Sequence, residues 1–296
     1  MNALVIGASG FLGAHVYQRL LDQGADAHGT CRHHHRPGLQ AIDLLDTRAM
    51  ARYLNSLRPD VVIWCAKRTH ENGDEQALNE TGLCNLVRSV PDATRLIFVS
   101  TDGVLPGTGG PHGEEVRPSP FSSDSSIAHY TNGKLWAERW LQSDSPLAHT
   151  TTIVRTGMIY GRAVSGEWDA RTAAVLKAFA SGKTFSRADN LLRTFVYVDE
   201  LASALCELAT IDCIRGIVHA GPEHGESHFS FARAIARAWS LPMHLVRPHQ
   251  IPPEDVTERE VRLDTRLNTS FLRSKLATQF HSVDERFTMS AVKPGP

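Results

Sequence analysis

The chain has 296 residues, 42% hydrophobic and 21% charged, enough to bury a large core and too apolar for wholesale disorder. Lys plus Arg number 31 and Asp plus Glu 32, so a net charge of −1 gives no general pull toward nucleic acid or an anionic membrane. The cysteines at 31, 65, 84, 206 and 213 are odd in number and form no CxxC pair. Together with the absence of a signal-peptide pattern and of any run of about 18 uncharged apolar residues, this reads as a cytoplasmic protein with reduced thiols.

Ala3-Leu4-Val5-Ile6 reads as a buried strand, and residues 11–23 as a helix carrying Leu12, Val16, Leu20 and Leu21 on one face. A weaker strand follows at 25–30, then a helix at 47–57 with Met50, Tyr53, Leu54 and Leu57 aligned. Pro59 ends that helix, and Val61-Val62-Ile63-Trp64 is the next strand. Residues 75–90 are helical in pattern, 96–99 form a strand, 126–141 a helix and 151–154 a strand. Strands alternating with helices predict an α/β fold with a doubly wound parallel sheet. After Arg155 the pattern loosens into a loop at 157–169, a helix at 172–180, a strand at 195–198 and a helix at 199–209 capped by Asp199. Strands at 216–220 and 243–246 flank a helix at 229–239; a stiff connector at 248–253 and a helix at 265–276 precede a frayed end. The expected division is a Rossmann domain over 1–156, with about 190–212 returning to it. A smaller C-terminal substrate lobe over 157–189 and 213–280, and a tail over 281–296, complete it.

Gly7-Ala8-Ser9-Gly10-Phe11-Leu12-Gly13 is a GxxGxxG loop between the first strand and the first helix. Glycines there permit a tight turn and close approach of backbone N–H groups to a pyrophosphate facing the helix N-terminus. Gly7, Ser9, Gly10, Phe11 and Leu12 are therefore expected to bind a dinucleotide. The second strand ends His28-Gly29-Thr30-Cys31-Arg32, with no acid for a ribose 2′-hydroxyl. Arg32 suits a 2′-phosphate, which points to NADP, with NADPH preferred over NADH. Asp43 and Leu44 close the next segment, where the carboxylate could accept from the adenine amino group. His33-His34-His35 reads as a polar loop, since three adjacent imidazoles cannot all face one ion.

Tyr130 and Lys134 stand four apart on a predicted helix, on one face. A nearby ammonium favours the phenolate and lowers a phenol pKa from about 10, which fits the pair for acid–base work on an alcohol or ketone oxygen. An exposed helix pair is the competing reading. Ser100-Thr101-Asp102 follows a buried strand, at the sheet end where α/β folds bind ligands. A hydroxyl there could polarise a carbonyl.

Together these residues resemble the extended short-chain dehydrogenase/reductase superfamily, and within it the dTDP-4-dehydrorhamnose reductase family. The likeness is carried by Gly7 to Gly13, Asp60-Val61-Val62-Ile63 before Cys65-Ala66, Asn79, Val99 to Val104, Tyr130 to Lys134 leading to Glu138, and Ile153-Val154-Arg155-Thr156 leading to Tyr160-Gly161. Phe195 to Ala202 and Leu263-Asp264-Thr265 extend it. The resemblance implies hydride transfer from NADPH to a keto group of a nucleotide-activated, dTDP-like deoxysugar. Tyr130 would protonate the alkoxide, Lys134 would lower the Tyr pKa and hold the nicotinamide ribose, and Thr101 would bond the ketone oxygen. Cys65, Ala66 and Lys67 would lie along the cofactor, Asp102 and Val104 near the sugar, and Arg193 against the substrate diphosphate.

Where relatives carry aromatics after Ser-Thr-Asp, this chain has Gly103 and Leu105, which make room. The 107–126 loop is long, and Arg259-Glu260-Val261 departs from the usual pair before Leu-Asp-Thr. Ala14-His15-Val16 supplies no acid to the first helix, so no metal is expected. A homodimer through two helices of the first domain is common among relatives and is a possible assembly. The alternatives are an epimerase or dehydratase that recycles its NAD(P), and a non-catalytic NADP-binding regulatory subunit.

Overall fold

A computed structural model describes residues 1–32, 37–67 and 74–289. Within them the chain forms two units. The first comprises 1–104, 118–155 and 202–218; the second comprises 105–117, 156–201 and 219–296. The return to the first unit thus runs over 202–218 rather than about 190–212, and 105–117 belongs with the second.

The first unit opens with β1 (Asn2–Ile6), α1 (Phe11–Asp22), β2 (Asp26–Cys31), β3 (Leu39–Ala41), α2 (Thr47–Leu57) and β4 (Val61–Trp64). It continues with α3 (Asp74–Ala77), a π-helical turn (Leu78–Gly82), α4 (Leu83–Val87), β5 (Arg95–Thr101), α5 (Ser126–Ser143) and β6 (Thr151–Thr156). Seven strands form one sheet in the order Gly216–Ala220, β6, β5, β4, β1, β2, β3. From β5 through β4, β1 and β2 to β3 the neighbours pair in parallel. The order reverses between β1 and β4, which makes their carboxyl ends the switch point of a doubly wound sheet. Ile6 pairs with Trp64, so the chain leaves both strands at one level, with Gly7 beside Cys65.

Covered on both faces, β1, β4 and β5 are apolar runs with almost no exposed residue, as a parallel sheet requires. Met50 and Leu54 of α2, Leu83 and Leu86 of α4, and Ala137 and Leu141 of α5 join Leu4, Ile6, Val62, Trp64, Leu96 and Phe98 in one core. The helix expected over 75–90 is interrupted by the π-helical turn, in which Leu78 and Asn79 are buried.

The second unit is built from shorter pieces. Two-stranded pairings join Phe195–Tyr197 to Met158–Tyr160 and Val246–His249 to Phe185–Ala188. The first of these puts a strand where a loop was expected. The helix expected at 199–209 runs from Val198 to Leu208, so Asp199 lies in its first turn, where its charge suits the helix dipole, and is not the cap. Only Ser270–Arg273 is helical within 265–276. The expected tail contains the helix Val283–Met289, whose Val283 and Phe287 enter a core with Tyr160, Phe195 and Phe231. No helix among the described residues is long and apolar enough to cross a membrane.

Candidate active site

The glycine loop has the geometry a pyrophosphate needs. Gly7 has φ +83°, and a Cβ there would stand 2.8 Å from the Ala66 Cα, because β1 and β4 release their chains side by side. At Gly13 a Cβ would fall 2.2 Å from the Gly7 carbonyl oxygen, so the first turn of α1 sits directly on the loop. The Gly7 N–H is held by the Thr30 hydroxyl at 3.1 Å and the Gly10 N–H by the Gly7 carbonyl at 3.0 Å.

The N-terminus of α1 differs from those of its neighbours. Asp46 caps α2 and Ser125 caps α5 with side-chain oxygens, whereas α1 begins at Gly10 without a side-chain cap and with no acid in its first turn. Its leading amides are available to an anion. The residues therefore fit a dinucleotide: Gly7, Ser9 and Gly10 would face the pyrophosphate, and Phe11 and Leu12 would present the first helical amides. Leu12 itself is a buried core residue, leaving only its backbone to contribute.

Arg32 and Asp43 meet beyond the ends of β2 and β3, with Nη2 of the arginine 3.9 Å from Oδ2 of the aspartate, both side chains partly exposed. Asp43 also accepts the Leu45 N–H at 3.1 Å, and Leu44 packs on the core. The run His33-His34-His35 lies outside the described residues. Cys65 follows β4, and its N–H donates to the Ile6 carbonyl at 2.9 Å. Burial pushes its thiol up to about 12, against the lowering pull of the Lys134 ammonium.

The second part of the site joins β5 to α5. Ser125 accepts the Ala128 N–H to start the helix, and the Asn132 amide makes both hydrogen bonds to the backbone of Phe121, at 2.9 and 3.0 Å. These bonds fix the turn that bears Tyr130. The Lys67 ammonium lies 4.8 Å from the centre of the Tyr130 ring. Lys134 is buried; its Nζ donates to the Val99 carbonyl at 3.0 Å and lies 4.6 Å from the Phe98 ring centre. Tyr130 thus has the Lys67 ammonium over its ring, and Lys134 stands one turn along the same helix.

Thr101 ends β5. Its hydroxyl oxygen accepts the Gly103 N–H at 3.1 Å and its proton goes to the Asp102 carboxylate at 3.2 Å. A Cβ at Gly103 would lie 3.3 Å from the Thr101 hydroxyl and 3.2 Å from that of Thr131. Gly103 therefore brings Thr101 close to the residue that follows Tyr130. Asp102 is 6% exposed and Val104 is wholly buried, so a sugar would meet them through little more than their backbones.

Arg193 belongs to the second unit, where its guanidinium donates to the carbonyls of Leu192 (2.7 Å), Arg262 (2.6 Å) and Leu263 (3.2 Å). Its charge, with those of Arg171 and Arg187, adds to burial in pushing His228 down to about 4. That concentration of positive charge within the unit favours an anion. Among the described residues no group of three or more His, Cys, Asp or Glu is placed to hold a metal ion.

Sequence reading assigned Lys67 to the cofactor and did not anticipate its place over the phenol, which depends on the turn after β4. It also missed an ion pair between Glu138 and Arg155, with Nη2 2.7 Å from Oε2, in which neither side chain is more than 1% exposed. The signals were present: Glu138 is one turn beyond Lys134, and Arg155 is a charge on a strand whose every residue is buried.

A 3-2-1-4-5-6 sheet, a glycine cradle at the first helix and a Thr–Tyr–Lys set define an extended short-chain dehydrogenase/reductase, a class of NAD(P)-dependent oxidoreductases. The chain belongs to the family described as the RmlD substrate binding domain, whose model matches residues 1–291. It is 30% identical to a dTDP-4-dehydrorhamnose reductase of Mycobacterium tuberculosis over 254 residues, 83% of this chain and 78% of that protein. It is 28% identical to the methionine adenosyltransferase 2 subunit beta of Danio rerio over 256 residues, 83% of this chain and 76% of the relative. The solved structure of a hypothetical dTDP-4-dehydrorhamnose reductase from Sulfolobus tokodaii is similar at TM-score 0.79 and 26% identity, covering 97% of this chain and 99% of the other. A dTDP-4-dehydrorhamnose reductase from Bacillus anthracis in complex with NADP, 19% identical, shares the fold at TM-score 0.76 over 97% of this chain and 96% of its own.

Proposed function

We propose that this protein is a cytoplasmic, NADPH-dependent reductase that delivers hydride to a keto group of a nucleotide-activated, dTDP-like deoxysugar. The reading is supported by the Lys67 ammonium over the Tyr130 ring, with Lys134 one turn along α5 and bound to the Val99 carbonyl, and Thr101 at the end of β5. NADPH supplies the hydride when bound. Thr101, released from Asp102, turns its proton to the ketone oxygen; Tyr130 gives up the phenolic proton to the alkoxide; Lys67 and Lys134 stabilise the phenolate that remains. Arg32 holds the 2′-phosphate, and Cys65, Ala66 and Lys67 border the cofactor. Asp102 and Val104 lie near the sugar, and the positive charge around Arg193 in the second unit suits a diphosphate.

The test is NADPH oxidation with a panel of nucleoside diphosphate keto sugars. Consumption of one NADPH per reduced sugar supports the reading; conversion without net consumption assigns an epimerase or dehydratase instead. A second reading is favoured by the likeness to methionine adenosyltransferase 2 subunit beta at 28% identity. In that case the chain binds NADP as a subunit of another enzyme, and a stable complex with a partner, without oxidation of NADPH on any sugar, is the expected result.

A further inference from the structure

Behind the reacting groups lies a charged cluster that no part of the reaction uses directly. Glu138 and Arg155 form a bidentate pair. Arg155 Nε is 3.1 and 3.2 Å from the two carboxylate oxygens and Nη2 is 2.7 Å from Oε2. The Ser100 hydroxyl donates to Oε1 of the same carboxylate at 2.5 Å. Ser100, Glu138 and Arg155 are 2%, 1% and 0% exposed.

Removing two charges from water is costly, and an apolar pair of equal volume commonly serves stability as well or better. Here the cost is increased, because Nη1 of Arg155 is buried and makes no hydrogen bond among the described residues. Stability alone is a poor account of this cluster. What the ion pair supplies, and an apolar pair does not, is direction: a guanidinium fork and a carboxylate meet in one plane and one orientation.

The elements it joins are those that carry the site. Ser100 immediately precedes Thr101 on β5. Glu138 lies one turn beyond Lys134 and two beyond Tyr130 on α5, on the same face. Arg155 belongs to β6, the neighbour of β5 in the sheet. Lys134 reaches back to the Val99 carbonyl, one residue before Ser100. Two consecutive residues of β5 are therefore held by two consecutive turns of α5, and the second hold is braced from β6. These clips oppose rotation and sliding of α5 against the strand end.

We infer that Ser100, Glu138 and Arg155 are positioning residues that set the register of α5 on β5, and hence the placement of Tyr130 and Lys134 against Thr101. The inference rests on the reductase reading for its kinetic consequence, but not for its spectroscopic one.

The experiment compares the wild-type protein with Ser100→Ala and with the double variant Glu138→Leu plus Arg155→Met, which replaces both charges at once and leaves neither buried alone. Expected are native circular dichroism, unchanged NADPH affinity, and a kcat lowered on the order of tenfold to a hundredfold in the double variant. A smaller kcat loss is expected in Ser100→Ala, with recovery in Ser100→Thr. Tyr130 is followed separately by ultraviolet phenolate absorbance, as the difference between each protein and the same protein bearing Tyr130→Phe. Its titration is expected to move up toward that of an ordinary tyrosine as Lys134 loses its setting, while Lys67 is untouched by the substitutions. A folded double variant with wild-type kcat and wild-type Tyr130 titration overturns the inference. If the double variant does not fold, wild-type values for both readouts in Ser100→Ala overturn it. Should the wild-type protein reduce no keto sugar, the reductase reading falls, and the tyrosine titration still decides the positioning claim.

Discussion

The two units give the same side chain opposite surroundings. In the first, Tyr130 is partly exposed, with the Lys67 ammonium over its ring and Lys134 one helical turn away. In the second, Tyr160 is wholly buried among Tyr197, Phe231 and Phe287, with ring centres 5.4 to 5.5 Å apart. Its hydroxyl has no hydrogen-bond partner among the described residues. Burial, and then the charges of Glu200 and Glu226, push the Tyr160 phenol well above its ordinary value. A phenol can serve as an acid–base group only where cations and water reach it; Tyr160 is instead an aromatic filler whose oxygen is stranded among the described residues.

Removing the hydroxyl from each tyrosine in turn tests that contrast. Tyr130→Phe has the largest expected effect, a loss of turnover of about 10²–10⁴-fold, the range for a general acid, with NADPH binding little changed. Steady-state rates and a fluorescence titration with NADPH check both halves; an active variant would remove Tyr130 from the chemistry. The next effect comes from the cradle. Gly13→Ala places a methyl group 2.2 Å from the Gly7 carbonyl oxygen, so the loop and helix must part. The expected outcome is at least a tenfold weaker NADPH affinity, about 1.4 kcal/mol, measured by calorimetry on protein of native secondary structure.

Much of the first unit was legible because its determinants are local. Buried strands are short apolar runs, the helices carry apolar residues at helical spacing, and the glycine loop sits between the elements that give it meaning. The second unit was less legible because its pairings join distant segments. His112 bonds the Arg266 carbonyl through its N–H, and Asp264 does the same to Gly107. Such contacts leave no periodicity to read, so a strand at Met158–Tyr160 passed for loop and a helix at Val283–Met289 for tail. At the site, residue types and order were evident, but which group each one touches was not. Lys134 turns to the Val99 carbonyl, and Arg193 is engaged by three carbonyls of its own unit.

Cofactor choice is the next contrast to sharpen. Arg32 lies beyond β2, where NAD-preferring folds place an acid. Arg32→Asp is expected to weaken NADPH by about tenfold or more, the scale of a charge-assisted pair, while NADH affinity holds or rises. Equal affinity of the wild-type protein for the two cofactors would remove Arg32 from that role. A smaller effect belongs to His228 in the second unit. Burial, then Arg193, Arg171 and Arg187, lower its pKa from 6.5 to about 4. Between those values the unfolded chain takes up a proton that the folded one refuses, so stability falls as pH drops from about 6.5 toward about 4. In His228→Phe the fall in Tm over that window is expected to be shallower; an identical slope would show that the imidazole titrates normally in the fold.

The smallest effect is expected at Tyr160, and its sign is the point. A buried hydroxyl without a partner costs about 1–3 kcal/mol in the folded state, because it gave up water and gained nothing. Tyr160→Phe keeps the ring contacts to Tyr197, Phe231 and Phe287 and removes only the stranded oxygen. The expected outcome is a Tm higher by about 2 °C or more, with kcat and NADPH affinity unchanged. Calorimetric melting and steady-state rates on one preparation check both. A lower Tm would mean that the Tyr160 oxygen does find a partner, and a lower kcat that the second tyrosine, too, reports to the site.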